Sequence, residues 1–235
     1  GDVPQRLPRR GAQALRGQVQ ARVVVAQHGH QGHHHVGRGD DGVADDEAEG
    51  GAHQAHLGEE IENFIQSGAE FGLTVDYSHD GGVRLGTGGS IKAALKAFPE
   101  VTTLAVTYGD SYLDLDLYQV HEAFRSSQKE ALMTVFHNCN RFGTSNVRFA
   151  NGQVLHYEKG NSNLEYIDYG FSFLRRESFD LQANEAFDLS LLWQSLISRN
   201  QLAGYEVYQR FFEIGTAEGL AETEGAILAK SRAGQ

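Results

Sequence analysis

The sequence predicts an α/β protein, a three-layer sandwich with a mixed, mostly parallel sheet. From about residue 57 onward, short apolar segments with the alternation of strands are interleaved with segments whose apolar residues recur at helical spacing. An Asn151–Gly152 pair between two of these strands is typical of a tight hairpin, which adds antiparallel strands to the sheet. Hydrophobic residues make up 40 % of the chain and charged residues 22 %, so we expect a buried core.

The first elements follow from the positions of apolar residues and glycines. Residues Glu59–Gln66 carry apolar side chains on one face and indicate the end of a helix, and Leu73–Tyr77 alternate as a short strand. A glycine-rich loop at Gly86–Gly89 precedes a helix that runs to Ala97. The apolar segment Thr103–Thr107 predicts a buried strand.

The remaining elements are assigned by the same periodicity. The predicted strands lie at Ala131–Phe136, Ser145–Phe149, Val154–Tyr157 and Ile167–Leu174. The predicted helices lie at Leu117–Phe124, Leu189–Ser198 and Ala217–Leu228. Strands therefore alternate with helices over most of this region, as in a sheet built from helical crossovers.

Charge and cysteine content exclude several classes of protein. A net charge of −11 and a pI of about 5.4 argue against a nucleic-acid binder with a broad phosphate-attracting surface, but are compatible with small phosphorylated substrates. The single cysteine, Cys139, allows no internal disulfide and is compatible with a reducing compartment. No apolar run reaches the roughly 18 residues of a membrane span. We therefore expect a soluble, cytoplasmic protein with no membrane contact, of undetermined oligomeric state.

The first 60 residues differ in kind from the rest of the chain. They use ten residue types only, and all ten can be encoded by codons that begin with G or C. One interpretation is a low-complexity, disordered leader. The other, which we favour, is translation in the wrong reading frame of a gene rich in G and C at third codon positions. We accordingly divide the chain into an anomalous segment, 1–56, and a globular domain, 57–235.

A histidine-rich tract lies within the anomalous segment, between His28 and His35. Such tracts can bind transition metals. Here no second cluster with ligand spacing accompanies the tract, and the reading-frame interpretation accounts for it without a function. We therefore do not expect a physiological metal site at these histidines.

Two glycine-containing loops in the globular region are candidate ligand sites. Leu85–Ser90 lets the backbone approach a ligand at the start of a helix, where N–H groups are free, or is simply a glycine-rich turn. Tyr108–Ser111 places Asp110 after a buried strand, where ligands collect in open α/β sheets and where a carboxylate can hold Mg²⁺. Alternatively, Asp110 caps the following segment. We expect Asp114 and Asp116 to begin the next helix.

Two further motifs carry charged residues at the ends of elements. Glu158 and Lys159 close a strand, where a carboxylate can accept sugar hydroxyls and an ammonium can pair with a phosphate. Taken alone, the motif favours an exposed charged pair without a function. Phe211–Thr216 places Glu213 before a glycine turn and a C-terminal helix, which is also the pattern of an ordinary helix entry.

In their order and spacing, these four motifs together resemble the sugar-1-phosphate nucleotidyltransferase family. The similarity runs from about Leu57 to Glu224 and includes FGLTVDYS, GDSYLDLD, TSNVRF, YIDYGF and LAGYEVYQRFFEIGT. It is nearest to the branch that activates sugar or heptose 1-phosphates for bacterial surface polysaccharides. The resemblance implies a Rossmann-like nucleotidyltransferase fold, an NTP and a sugar 1-phosphate as substrates, an NDP-sugar and pyrophosphate as products, and Mg²⁺ as cofactor.

The resemblance also implies roles for individual residues. The nucleotide would contact Leu85, Gly86, Thr87 and Gly88. Mg²⁺ would be held by Asp110 and by Glu213, which stands where the family often has Asp. The sugar phosphate would contact Glu158, Lys159, Tyr169 and Gly170. Asp110 and Lys159 are the residues implied in catalysis.

One feature of the family is missing from the sequence. The family begins with a strand, a GGxGTR loop that wraps the triphosphate and a Pro-Lys element, and neither motif occurs in residues 1–60. The Leu85 motif nevertheless lies about as far along the chain as in the family, as a frame error predicts. We therefore expect residues 1–56 to lack a packed core and the family's first strand, and the chain as written to be an impaired enzyme. The alternative is a catalytically dead domain that acts as a binding or regulatory module.

Overall fold

The computed structural model describes residues 22–27, 58–80 and 83–233. The helices are α1 (58–65), α2 (Gly86–Ala97), α3 (Leu117–Ser127), α4 (Leu189–Ser198) and α5 (Ala217–Ala233). The strands are β1 (Arg22–Gln27), β2 (Thr74–His79), β3 (Thr103–Thr107), β4 (Ser111–Tyr112), β5 (Ala131–His137), β6 (Val147–Ala150), β7 (Gln153–Tyr157), β8 (Tyr166–Arg175), β9 (Leu202–Val207) and β10 (Phe212–Glu213). None of the helices in these ranges combines the length and apolar character of a membrane span.

The chain divides into two compact units. The first comprises Gly1–Ala97 and Glu185–Phe187, and the second comprises Phe98–Asn184 and Asp188–Gln235. Apart from the segment 185–187, the first unit precedes the second along the chain.

The first unit contains a parallel pair of strands, β1 and β2. The expectation that residues 1–56 contribute no strand is therefore wrong for Arg22–Gln27. The segment reads RVVVAQ, and three consecutive β-branched residues favour extended backbone whatever the origin of the sequence. The strand alone does not distinguish the two interpretations of residues 1–56. The rest of that segment, including the histidine-rich tract, lies outside the described residues.

The second unit is built on a six-stranded sheet with the order β3-β8-β5-β9-β7-β6. Strand β8 pairs antiparallel with both β3 and β5, and β5 pairs parallel with β9. Strand β6 also pairs with β8, between Val147 and Tyr166, so the sheet is partly closed. The predicted mixed sheet is confirmed, and the three-layer arrangement stays a prediction.

The prediction of a mostly parallel sheet is wrong for the described strands. The pairs β1–β2 and β5–β9 are parallel, and the other pairs in this part of the chain are antiparallel. The cause is the position of β8. Strands β3 and β5 flank helix α3 and run in the same direction, but antiparallel β8 lies between them. A strand–helix–strand pattern gives the relative direction of two strands without showing that they are neighbours.

The core of the second unit explains why β5 and β8 are central. The first six residues of β5 are all buried, and so is most of β8. One apolar cluster includes Phe124, Leu132 and Phe173, and a second includes Phe136 and Phe211. Burial of aromatic side chains at this scale is the main stabilising contribution to such a domain.

The structure confirms the predicted helices and strands of the globular region, with shifts at their ends, and adds three strands. Strand β9 was missed because Gly204 interrupts its apolar pattern. A Cβ on Gly204 would lie 2.5 Å from the ring of Phe149, so the glycine permits this close packing. Strands β4 and β10 have two residues each, which is too short for a periodicity. As predicted, Asp116 caps α3, accepting from the N–H groups of Tyr118 and Gln119.

Candidate active site

The predicted site residues fall into two groups. Leu85, Gly86, Thr87 and Gly88 belong to the first unit. Asp110, Glu158, Lys159, Tyr169, Gly170 and Glu213 belong to the second. Each group is described within its own unit.

The glycine motif forms the first turn of α2 rather than a loop before it. The N–H groups of Gly88 and Gly89 donate to the Phe187 carbonyl at 3.0 and 3.1 Å, and the Phe187 N–H donates to the Leu85 carbonyl at 2.8 Å. A Cβ on Gly88 would lie 2.2 Å from the Phe187 ring. These glycines therefore let the segment 185–187 pack on the helix start, and two N–H groups of that start already have protein acceptors.

Two lysines hold the same segment against α2. The carboxylate of Glu185 accepts from Lys92 at 3.2 Å and also from Lys96. The hydrogen bond from Lys96, followed by that from Lys92, lowers the pKa of Glu185. A Cβ on Gly89 would lie only 2.4 Å from the carbonyl oxygen of Glu185. Residues 185–187 therefore lie across the first turn of the helix and are held there by these contacts.

In the second unit, the backbone at Asp110 lies beside the backbone at Glu213 although about a hundred residues separate them. Strands β4 and β10 pair antiparallel, with Glu213 opposite Ser111. The Ile214 N–H donates to the Asp110 carbonyl at 2.8 Å. A regular pleat would place the two acidic side chains on opposite faces. Asp110, however, lies in a turn before β4, and a Cβ on Gly215 would be 3.9 Å from its Oδ2.

The donor chemistry of these two acids fits Mg²⁺. Carboxylate oxygens are the protein ligands that Mg²⁺ prefers, and the ion usually takes one or two of them together with waters and substrate phosphates. Among the described residues, no three His, Cys, Asp or Glu side chains are grouped as a metal site. A cation at Asp110 and Glu213 would therefore depend on oxygen atoms from a substrate or from water.

Glu158 and Lys159 follow β7 and each has its own partner. The Glu158 carboxylate interacts with His156 at 3.1 Å and accepts from Asn161 at 2.7 Å, and these hydrogen bonds lower the pKa of Glu158. The Lys159 ammonium donates to both carboxylate oxygens of Asp188, at 3.2 Å each. The two predicted sugar-phosphate residues are exposed and adjacent, as an approachable site requires.

The structure adds a half-buried carboxylate, Asp168, that the sequence analysis did not single out. Its Oδ2 accepts from the Tyr108 hydroxyl and its Oδ1 from the Gly170 N–H, at 3.0 Å each. Burial raises the pKa of Asp168 to about 6, although both hydrogen bonds and the charge of Lys159 act in the opposite direction. The available signal was an aspartate inside a ten-residue strand that is otherwise largely apolar.

Two tyrosines complete this polar cluster. Burial, followed by the charge of Asp168, raises the pKa of both Tyr108 and Tyr157. Their hydroxyls therefore stay protonated at neutral pH and can donate hydrogen bonds. Titratable groups whose pKa is shifted by burial and by a charged partner are typical of functional sites. Here the charged partners include Asp168 and Lys159, which is itself ion-paired with Asp188.

Gly170 and Tyr169 differ in what they can offer a ligand. Gly170 has φ +94°, and a Cβ there would lie 3.2 Å from the Tyr108 ring and 3.6 Å from the Ser111 hydroxyl. It therefore lies beside the turn that carries Asp110. The Tyr169 ring is only 1 % exposed and packs against Phe211 in the core, and its place beside a sugar pocket stays a prediction.

Two surface cavities lie elsewhere. One, of about 370 Å³, is lined by Glu60, Ile61, Phe64 and Ile65 of α1. The other, of about 200 Å³, lies along β6 and the segment 163–166. Neither is lined by a predicted site residue.

Several solved structures share the fold of this chain. A Bacillus anthracis protein described as a glucose-1-phosphate thymidylyltransferase matches with a TM-score of 0.60, 17 % identity and coverage of 72 % of this chain and 71 % of its own. HddC from Yersinia pseudotuberculosis matches with a TM-score of 0.56, 20 % identity and coverage of 70 % and 72 %. A UDP-glucose pyrophosphorylase complexed with UDP-glucose matches with a TM-score of 0.55, 16 % identity and coverage of 73 % of each chain.

The chain has the fold of these nucleotidyltransferases. At these identities the likeness concerns the fold alone, and no protein-family model matches the sequence. The predicted Rossmann-like nucleotidyltransferase architecture is thereby supported, whereas the heptose or sugar branch stays a prediction.

Proposed function

We propose that this protein belongs with enzymes that join an NTP and a sugar 1-phosphate into an NDP-sugar and release pyrophosphate. The observation that carries the proposal is the backbone adjacency of Asp110 and Glu213 through β4 and β10, within a fold shared with sugar-phosphate nucleotidyltransferases. Two acids from distant parts of the chain at one end of a strand pair suit a nucleotide-bound cation.

In the proposed reaction, an oxygen of the sugar 1-phosphate attacks the α-phosphorus of the NTP, and the bond from that phosphorus to the β-phosphate oxygen breaks. The attacking phosphate is already ionised, so no general base is required. Bound Mg²⁺ would neutralise the charge that develops on the phosphates. Asp110 and Glu213 would hold it, and Lys159 would pair with the sugar phosphate.

The sugar would lie near Glu158 and Asp168. Glu158 keeps an ionised carboxylate that can accept from hydroxyl groups, and its partners His156 and Asn161 fix its position. Asp168 is held by Tyr108 and Gly170. Gly170 would give the sugar room, because any side chain there would meet Tyr108.

We further propose that the chain as written is impaired. Residues 1–60 do not contain the GGxGTR loop that wraps the triphosphate in the family. Loss of one preorganised donor at a developing charge can slow a reaction about a hundredfold or more, and here a whole loop is missing. The occupied N–H groups of Gly88 and Gly89 favour the second candidate, a catalytically dead domain that acts as a binding or regulatory module.

The test is pyrophosphate release with Mg²⁺, four NTPs and a panel containing glucose, mannose and heptose 1-phosphates. The chain as written is compared with a version in which residues 1–56 are translated from the alternative frame. In the restored version, Asp110→Asn tests the cation site, and Asp180→Asn, at an exposed aspartate, is the matched control. We expect turnover in the restored version and in its Asp180→Asn control. The turnover rate should be lower by about a hundredfold or more in the chain as written and in the restored Asp110→Asn variant.

Other outcomes are equally decisive. Equal turnover by the original and restored chains would refute the proposed impairment. A second outcome is that neither chain releases pyrophosphate with any combination of NTP and sugar 1-phosphate, while both bind UDP-glucose in calorimetry. That result would replace the proposed enzyme activity by the binding-module function. Full activity of Asp110→Asn would remove Asp110 from the cation site.

A further inference from the structure

Asp188 makes two different contacts with one carboxylate. It is the N-cap of α4, and its Oδ1 accepts from the Ser190 N–H at 2.8 Å. Both of its oxygens also accept from the Lys159 ammonium at 3.2 Å. The carboxylate is therefore fixed to a helix end while it holds the end of a long, flexible side chain.

We infer that Asp188 is a positioning residue that holds the Lys159 ammonium where it can meet the phosphate of a sugar 1-phosphate. This inference rests on the proposed function for the role of Lys159. It goes beyond that function by adding a residue whose effect on the substrate is exerted through the lysine.

The geometry leaves the lysine able to bind a second anion. An ammonium has three N–H donors, and Asp188 offers two acceptor oxygens. At least one donor therefore remains for a phosphate. The Lys159 side chain is 58 % exposed, so without Asp188 it would sample many rotamers and would have to be ordered by the substrate.

The charge state of Asp188 supports the same role. Burial by itself would raise the pKa of Asp188, but the hydrogen bonds from Ser190 and the charge of Lys159 outweigh it and lower the pKa. Asp188 is thus ionised at neutral pH. The opposing possibility is that Asp188 competes with the phosphate for Lys159, and the two possibilities predict opposite changes in affinity.

The first experiment does not depend on enzyme activity. The chain has five lysines, so lysine-selective labelling gives five resolvable ammonium or Cε signals by NMR. We expect Asp188→Asn, which keeps a good N-cap, to increase the motion of the Lys159 signal alone. Asp116→Asn is the matched control, because Asp116 caps α3 and neither of its carboxylate oxygens accepts from a lysine in the described bonds. Lys159→Gln identifies the signal.

The second experiment measures binding of glucose 1-phosphate to the full chain by calorimetry. We expect Asp188→Asn to weaken binding by about threefold to tenfold, the range for ordering one long side chain, and Asp116→Asn to leave it unchanged. The double variant Asp188→Asn, Lys159→Gln should bind no more weakly than Lys159→Gln alone, because Asp188 acts through the lysine.

Several results would overturn the inference. Unchanged Lys159 motion in Asp188→Asn would show that Asp188 does not order the lysine. Tighter binding of glucose 1-phosphate by Asp188→Asn would show that it competes with the phosphate. If the unaltered chain binds no glucose 1-phosphate, the proposed function fails for that probe, while the NMR result still decides whether Asp188 positions Lys159.

Discussion

Asp168 gives the most direct quantitative prediction. Burial raises its pKa from 3.8 to about 6 in the folded protein, so the folded state holds a proton at a pH where the unfolded chain has lost it. The free energy of unfolding should therefore fall as the pH rises from about 4 to about 6, and Asp168 should contribute no further change above that. A shift of about two units corresponds to about 3 kcal/mol.

Asp168→Asn removes this titration. The amide oxygen can still accept from the Gly170 N–H, and the amide nitrogen can donate to the Tyr108 oxygen, so the geometry can be kept. The difference in unfolding free energy between variant and unaltered chain should grow by about 3 kcal/mol, in favour of the variant, between pH 4 and pH 7. Working with this difference cancels the titration of the other carboxylates.

Urea denaturation followed by tryptophan fluorescence measures this difference. Trp193 is the single tryptophan of the chain, is 1 % exposed, and belongs to the same unit as Asp168. Asp180→Asn, at an exposed aspartate, serves as the control and should parallel the unaltered chain. If the stability of Asp168→Asn has the same pH dependence as that of the unaltered chain, the surroundings of Asp168 do not disfavour its ionised form.

Further predictions concern packing and buried hydrogen bonds. Gly88→Ala should destabilise the first unit by about 1–3 kcal/mol in urea denaturation, because its Cβ would overlap the Phe187 ring. The control is Gly225→Ala, which has open space around it in α5. This control should be neutral or stabilising by up to about 1 kcal/mol. Asn138→Ala should cost about 1–3 kcal/mol for each buried group that it leaves unpaired, since the fully buried Asn138 amide accepts from the Phe142 N–H and donates to the Gly143 carbonyl. A thermal or urea midpoint for Asn138→Ala equal to that of the unaltered chain would contradict that assignment. Gly204→Ala should likewise lower the midpoint, through overlap with Phe149, and an unchanged midpoint would mean that β9 shifts to accommodate the methyl group.

Local periodicity was sufficient to predict most elements of the globular region. The apolar run of β5 and the capping aspartate of α3 are signals that neighbouring residues of the sequence provide. The neighbours of a strand are not encoded locally, and for that reason the insertion of β8 between β3 and β5 could not be read from the alternation of elements. Strand β9 was missed for a related reason. Gly204 interrupts its apolar pattern, and the ring that requires this glycine, Phe149, lies more than fifty residues earlier in the chain.

The candidate site was predictable in part. Its motifs include Asp110, Glu213, Glu158 and Lys159 as exposed or turn residues. The pairing of β4 with β10 places the backbones of the first two side by side, and a shared cation stays a prediction. Asp168 and Asp188 escaped notice because their importance depends on tertiary partners, Tyr108 and Lys159. The side chain of Tyr169 lies in the core. Every position of a strand buried on both faces has the same apolar character, so the sequence does not show which neighbours such a side chain contacts.

The place of β8 in the sheet also determines when that sheet can form during synthesis. Within the described residues, β3 pairs with β8 alone, and β5 lies between β8 and β9. A nascent chain that has emerged only as far as β5 therefore has two strands of the same direction without the strand that joins them. Such unpaired edges favour association with other chains. Nascent chains that have emerged from the ribosome only to a point before about residue 175, the end of β8, should thus be aggregation-prone, and emergence past that point should restore solubility.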